Sequence, residues 1–234
     1  VKRFTEDMRE LNTATRAILF DLDGTLVDTT DLILRCFGHS WHTVCGLEHS
    51  REALIATFGI PLSEAMWRLT REPNITDIAV NEAMIERLLL EYRSFNVAHH
   101  DKLAQPFNDT RRVIEELRAR GYLIGVVTSK GRELAIRGLK LCSLDGLIDA
   151  AVFLEDTSIH KPNPEPVLAA LEKLKTPADC AVYVGDSCHD MIAGRRAGVR
   201  TVAALWGPFP RTALECERPD YLAESINSLL EIFI

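Results

Sequence analysis

A chain of 234 residues, 47% hydrophobic and 26% charged, has the balance of a soluble globular protein and length for one α/β domain plus an insertion. A formal net charge of −7 argues against a broad nucleic-acid-binding face, though an anionic substrate would still need a local basic pocket. The six cysteines form no CxxC pair and no zinc-ligand spacing, so free thiols in a reducing, cytoplasmic setting are expected. The opening stretch carries acids where a secretory signal needs apolar residues, and runs such as AILF and LIGVV are too short to cross a membrane.

Residues 1–15 read as an N-terminal extension, with a short helix over TEDMRELN. RAILF then reads as a buried strand ending at Phe20, stopped by the polar turn DLDGTLVDT. From 29 to 104 the apolar spacing is helical, in DLILRCFGHSWHTVC, HSREALIATF, PLSEAMWRLT and TDIAVNEAMIERLLLEYRSFNVAHH, with Pro61 and Pro73 near helix boundaries. This span reads as an all-helical insert. From Asn108 helices and strands alternate: DTRRVIEELRARG, YLIGVV, SKGRELAIRGLKLC, LIDAAVF, PEPVLAALEKL, CAVYVG, HDMIAGRRAG, TVAAL and a terminal helix over YLAESINSLLEIF. Such alternation implies a mainly parallel, Rossmann-like sheet with helices on both faces, an α/β core formed by residues 16–28 and 105–234. Reactive groups in such sheets gather beyond the carboxyl ends of the strands.

Four polar clusters follow four of these strands. Asp21 and Asp23 come straight after RAILF; a solvated Asp-Gly turn is the plain alternative. Asp28 can cap the first insert helix. Thr128 and Ser129 follow LIGVV and suit either helix capping or phosphate binding at a helix start. Lys161, in SIHKPNPEPV, is held among three prolines and would neutralise charge in a phosphoryl site. Asp186 and Asp190 follow AVYVG, and Asp190 also suits the start of a helix. Cys188 and His189 between them lack an orienting third group, which argues against a cysteine nucleophile. Together the acids form a hard-oxygen set suited to Mg²⁺ rather than zinc. A carboxylate nucleophile gives an aspartyl-phosphate, and a second carboxylate two residues on can protonate the leaving group and then deprotonate water.

These motifs resemble those of the haloacid dehalogenase-like hydrolase superfamily, in its phosphatase branch, over nearly the whole chain from Arg16. DxDGT is here Asp21 to Thr25, and GDSxxDxxxG is Gly185 to Gly194. The resemblance implies that Asp21 is the nucleophile and Asp23 the acid/base, whose carbonyl also ligates the metal. Thr128, with Ser129, holds the phosphoryl group, and Lys161 is the third motif's lysine. Asp186 binds Mg²⁺ directly, and Asp190 through water or by orienting the site. The insert 29–104 corresponds to the family's helical cap, which closes over the site and presents specificity residues.

The nearest branches are phosphoglycolate phosphatases and bacterial pyrophosphatases. Phosphoglycolate is the first expectation for the small phosphorylated substrate and inorganic pyrophosphate the second, with a non-enzymatic regulatory binding protein as the alternative from another class. No nucleic acid or membrane partner is expected. Cap residues considered for an anionic substrate are Arg35, His39, His42, Arg68, Arg71 and Arg87, while Phe37, Trp41, Phe58 and Trp67 are expected to pack the cap helices.

Overall fold

The computed structural model describes residues 15–72, 75 and 80–234. The expected helix over TEDMRELN, Pro73 and the first residues of the TDIAV segment lie outside these.

The strand β1 (Ala17–Phe20) is buried along its whole length, which explains its unbroken apolar sequence. Ile18 and Phe20 join the larger apolar cluster on one face of the sheet, while Ala17 and Leu19 join the second cluster on the other. The remaining sheet strands are β4 (Leu123–Val127), β5 (Ala150–Val152), β6 (Ala181–Gly185), β7 (Arg200–Ala204) and β8 (Tyr221–Ala223). Their order is β5-β4-β1-β6-β7-β8, and every pairing is parallel. β1 therefore sits between β4 and β6, and the polar residues after all three strands converge at one edge.

One face of the sheet is covered from α5 (Thr110–Ala119), α6 (Arg132–Leu141) and the short α10 (Leu229–Ile232), which contribute Val113, Ile114, Leu117, Ala135, Leu139, Leu229 and Ile232 to the larger cluster. The other face meets α7 (Glu165–Leu174) and α8 (Cys188–Ala197) through Val167, Ala170, Leu171, Ala193 and Ala197. This is the α/β arrangement expected from the alternating pattern. A further helix, α9 (Arg211–Cys216), follows β7.

Two differences from the sequence reading stand out. The apolar run expected to form one terminal helix instead forms β8, a short 3₁₀ turn and α10. Tyr221–Ala223 pairs with Val202–Ala204, so sheet extension overrides local helical spacing. The chain also leaves and re-enters the core through a two-stranded antiparallel ribbon, β2 (Val27–Asp28) with β3 (Gln105–Pro106).

Between these two strands lie the inserted helices α1 (Thr30–Cys45), α2 (Arg51–Ile55), α3 (Leu62–Leu69) and α4 (Glu82–Leu103). The N-cap of α1 is Thr29 rather than Asp28, though Asp28 accepts a hydrogen bond from the Thr30 N–H (3.2 Å), and Gly46 ends α1 in the left-handed region. Asn81 caps α4 by accepting from the Met84 N–H at 2.9 Å. Met84, Ile85, Leu88, Tyr92, Asn96 and His100 form one buried stripe along α4, at the spacing of a single helix face. It packs on the stripe Leu32, Cys36, Phe37 and Trp41 of α1, with Phe37 and Tyr92 edge to face at 5.0 Å. Phe37, Trp41 and Phe58 are buried as expected, but Trp67 is exposed. Arg137 of α6 ties the far end of α4 to the core through paired hydrogen bonds to Asp101 at 2.8 and 2.9 Å.

Candidate active site

The turn after β1 carries Asp21, Asp23 and Gly24. Gly24 has φ +87°, and a Cβ there would lie 2.5 Å from Asp186 Oδ2, so glycine is required both by the turn and by the close approach of Asp186. Gly207, after β7, crowds Asp186 from the other side, where a Cβ would stand 2.2 Å from that of Asp186. Thr25 Oγ1 donates to Asp186 Oδ1 at 2.7 Å, and Trp206 Nε1 donates to the Thr25 carbonyl at 2.9 Å. Asp186 is thereby fixed at the end of β6, beside Asp21 at the end of β1.

Asp190 lies one turn into α8, where Ser187 and Asp190 form a reciprocal capping box. Its Oδ2 accepts from the Ser187 N–H (3.0 Å) and hydroxyl (2.6 Å). Its Oδ1 accepts from Lys161 Nζ at 2.7 Å and from Tyr183 OH at 2.9 Å. Both of its carboxylate oxygens are thus hydrogen-bonded within the protein. Lys161 is almost fully buried and also donates to Asp21 Oδ1 at 2.8 Å and to Tyr183 OH at 3.1 Å. The lysine expected in a rigid loop is therefore a buried bridge between the end of β1 and the first turn of α8.

Asp21, Asp186 and Asp190 each offer a carboxylate oxygen, and the three oxygens lie within 4.8 Å of one another. Burial pushes Asp21 up to about 7 despite the Lys161 charge, with Asp190 adding to the rise. Burial likewise raises Asp186 well above the usual carboxylate range, and the charges of Asp21 and Asp190 add to it. Asp190 behaves oppositely. Burial disfavours its ionised form, but the Lys161 charge and hydrogen bonds from Lys161, Ser187 and Tyr183 outweigh that and hold it below 3.8. Burial also works against the Lys161 charge, and the two carboxylates more than reverse this. Three acids thus face one buried ammonium. The hard oxygen donors and the unbalanced negative charge fit a divalent cation such as Mg²⁺.

Asp23 stands apart from this cluster. Its Oδ1 accepts from Lys130 Nζ at 2.6 Å and from Thr29 Oγ1 at 2.8 Å. One oxygen of its carboxylate is thus engaged away from the cluster, and the resemblance gives the metal role to its main-chain carbonyl. Thr128 ends β4, and Ser129 follows it. Neither caps α6: its N-cap is Gly131, and Glu155 accepts from the Arg132 N–H at 3.0 Å. The Ser129 hydroxyl instead donates to the Gly59 carbonyl of the inserted helical region at 2.7 Å. Asp21, Asp23, Thr128 and Ser129 all line one cavity of about 400 Å³ between core and insert. Ile33, Phe37, Phe58, Ile60, Tyr92, Arg93 and Asn96 form the opposing wall.

Lys130, Tyr183, Trp206 and Gly207 were not singled out from sequence. Lys130 directly follows Thr128 and Ser129, so its position was a usable signal. The other three act through contacts across the sheet edge that no local pattern reveals. Among the described residues no helix is long and apolar enough to cross a membrane, and all six cysteines are free.

A parallel sheet carrying a buried carboxylate cluster at its strand ends, covered by inserted helices, defines a capped hydrolase whose site is consistent with Mg²⁺-dependent phosphatase chemistry. The haloacid dehalogenase-like hydrolase family model matches residues 18–204, and the chain belongs to that family. It is 42% identical over 216 residues to a Caldanaerobacter subterraneus protein provisionally named pyrophosphatase PpaX, covering 92% of this chain and 93% of that one. It is 35% identical over 215 residues to pyrophosphatase PpaX of Bacillus thuringiensis, covering 92% and 94%. Among solved structures, a Streptococcus pneumoniae haloacid dehalogenase-like hydrolase superposes with a TM-score of 0.80 at 25% identity, covering 95% of this chain and all of that one. A Haemophilus somnus protein described as a predicted phosphoglycolate phosphatase has a TM-score of 0.85 at 20% identity, covering 94% and 99%, a likeness of fold alone.

Proposed function

We propose that this protein is a Mg²⁺-dependent phosphohydrolase that acts on inorganic pyrophosphate through an aspartyl-phosphate on Asp21. The observation that carries the chemistry is the buried Asp21–Asp186–Asp190 cluster bridged by Lys161. The choice of substrate rests on similarity to pyrophosphatases across nearly the full chain. That similarity supports pyrophosphate over phosphoglycolate, the reverse of the order expected from sequence.

Asp21 attacks phosphorus and the bond to the leaving oxygen breaks. Lys161 holds Asp21 Oδ1, fixing the carboxylate while its other oxygen serves as nucleophile. Asp23, lining the same cavity two residues on, protonates the departing oxygen. It then takes a proton from the water that cleaves the aspartyl-phosphate. Thr128 and Ser129 hold the transferring phosphoryl group from the β4 end. Asp21, Asp186 and the Asp23 carbonyl would hold Mg²⁺, with Asp190 orienting them, and the ion would supply charge neutralisation at the phosphoryl group. Residues 29–104 act as the cap and exclude bulk water from the cavity.

The test is the initial rate of phosphate release with Mg²⁺ and with EDTA. Substrates are pyrophosphate, 2-phosphoglycolate, sugar phosphates and nucleotides. The reading predicts metal-dependent turnover with the highest kcat/KM on pyrophosphate. A higher kcat/KM on 2-phosphoglycolate contradicts the substrate assignment, and metal-independent turnover contradicts the chemistry.

A further inference from the structure

The cavity wall contributed by the inserted helices is mostly apolar, and the charged groups around the cavity are few. On the core side stand Asp21, Asp23, Glu133 and Glu155, with Lys130 as the cation. Lys130 is already committed to Asp23 at 2.6 Å. From the inserted helices, Arg93 of α4 is the charged side chain at the cavity among the described residues. Its guanidinium has no hydrogen-bond or ion-pair partner among those residues.

The other cap cations go elsewhere. Arg35 pairs with Asp31 in an exposed i,i+4 contact, and His39 faces Glu91. Neither these two nor His42, Arg68, Arg71 or Arg87 line the cavity. Arg93 lies on α4 one residue beyond the buried Tyr92 and three before the buried Asn96, which also line the cavity. Arg93 itself is exposed, so it stands where the cavity opens to solvent.

We infer that Arg93 is the specificity-determining residue for the leaving group and selects one that carries its own negative charge. The assignment rests on the reading that a phosphoryl group is transferred to Asp21 and that the leaving group occupies this cavity. An anionic leaving group bound there meets four acids on the core wall and needs a cation free to pair with it. A guanidinium offers two parallel N–H donors to a phosphate or carboxylate, whereas the ammonium of Lys130 is held by Asp23. A neutral leaving group has no use for that charge. The substrate class is thus a phosphate bearing a second anionic group, of which pyrophosphate is the smallest case.

The experiment compares the wild-type protein with Arg93→Ala, Arg93→Gln and Arg93→Lys. One readout is the ratio of kcat/KM on pyrophosphate to kcat/KM on phenyl phosphate, whose leaving group is uncharged apart from the bond being broken. The other is the affinity for methylenediphosphonate, a non-hydrolysable analogue, by calorimetry with Mg²⁺. In Arg93→Ala and Arg93→Gln the ratio should fall roughly 10- to 100-fold and the analogue should bind more weakly by a similar factor, the loss typical of one charge-assisted pair. Arg93→Lys should recover part of both. A ratio unchanged in all three variants, or analogue affinity equal to wild type, overturns the assignment. So does a wild-type protein that fails to bind the analogue. Failure of the proposed activity is separable, because it appears as wild-type protein that binds the analogue but hydrolyses neither substrate.

Discussion

Lys161 shows how single side chains decide the behaviour of this site. Its ammonium is buried and bonded to Asp21, Asp190 and Tyr183. Removing it leaves two buried carboxylates without their partner, a loss that costs about 3–5 kcal/mol when a buried pair is broken. Lys161→Met should therefore lower stability by that amount in urea unfolding of the metal-free protein, and abolish turnover. Asp21→Asn should behave differently. It removes a carboxylate that burial already holds up to about 7, so it should abolish turnover while thermal stability in EDTA at pH 8 stays equal or rises.

The same shifts set a pH dependence. Asp21 and Asp186 are raised in the fold, so the unfolded chain ionises them from about 3.8 upward while the folded chain still holds the proton. The folded state then binds more protons, so the contribution of Asp21 to stability falls as pH rises from about 4 to about 7, and that of Asp186 changes in the same direction. A bound cation reverses this by favouring the ionised carboxylates. Mg²⁺ should therefore raise the melting temperature more at pH 8 than at pH 5, read by calorimetry against EDTA controls. Equal increments at both pH values would speak against these two carboxylates holding the metal.

At the scale of elements, the inserted helices are held by the α1–α4 seam. Leu88 is fully buried on α4, and Leu88→Ala should cost about 2–5 kcal/mol in urea unfolding, through lost burial and the cavity left behind. The elements differ in how clearly the sequence announces them. β1 was legible because a strand buried on both faces is an unbroken apolar run, and the polar turn at Asp21 marks its end sharply. α1 and α4 were legible from their single apolar faces. β2 and β3 were not, since two-residue strands carry no period and exist only because the chain crosses the same place twice. β8 was hidden inside a helical spacing that pairing with β7 overrides. Asp186 and Lys161 could be placed at strand ends, but Tyr183 and Gly207 act by approach across the sheet edge. Arg93 was missed because which face of a cap helix meets the cavity depends on how that helix docks.

At the scale of the whole molecule, the fold brings distant segments of sequence to one edge of the sheet. Asp21, Thr128, Lys161 and Asp186 come from four stretches of chain; the order β4-β1-β6 places the strand ends before Thr128, Asp21 and Asp186 side by side, and Lys161 reaches Asp21 from the loop beyond β5. The inserted helices then close the space above them, with the Ser129–Gly59 hydrogen bond and the Arg137–Asp101 pair joining the two parts. In the proposed function this assembly transfers a phosphoryl group to Asp21. The most direct measurement is to quench the enzyme during turnover of pyrophosphate with Mg²⁺, reduce it with borohydride, and map the peptides by mass spectrometry. An aspartyl-phosphate is reduced to homoserine, so the account predicts homoserine at position 21 of the wild-type chain and none in Asp21→Asn. Homoserine at another aspartate, with position 21 unmodified, would contradict it.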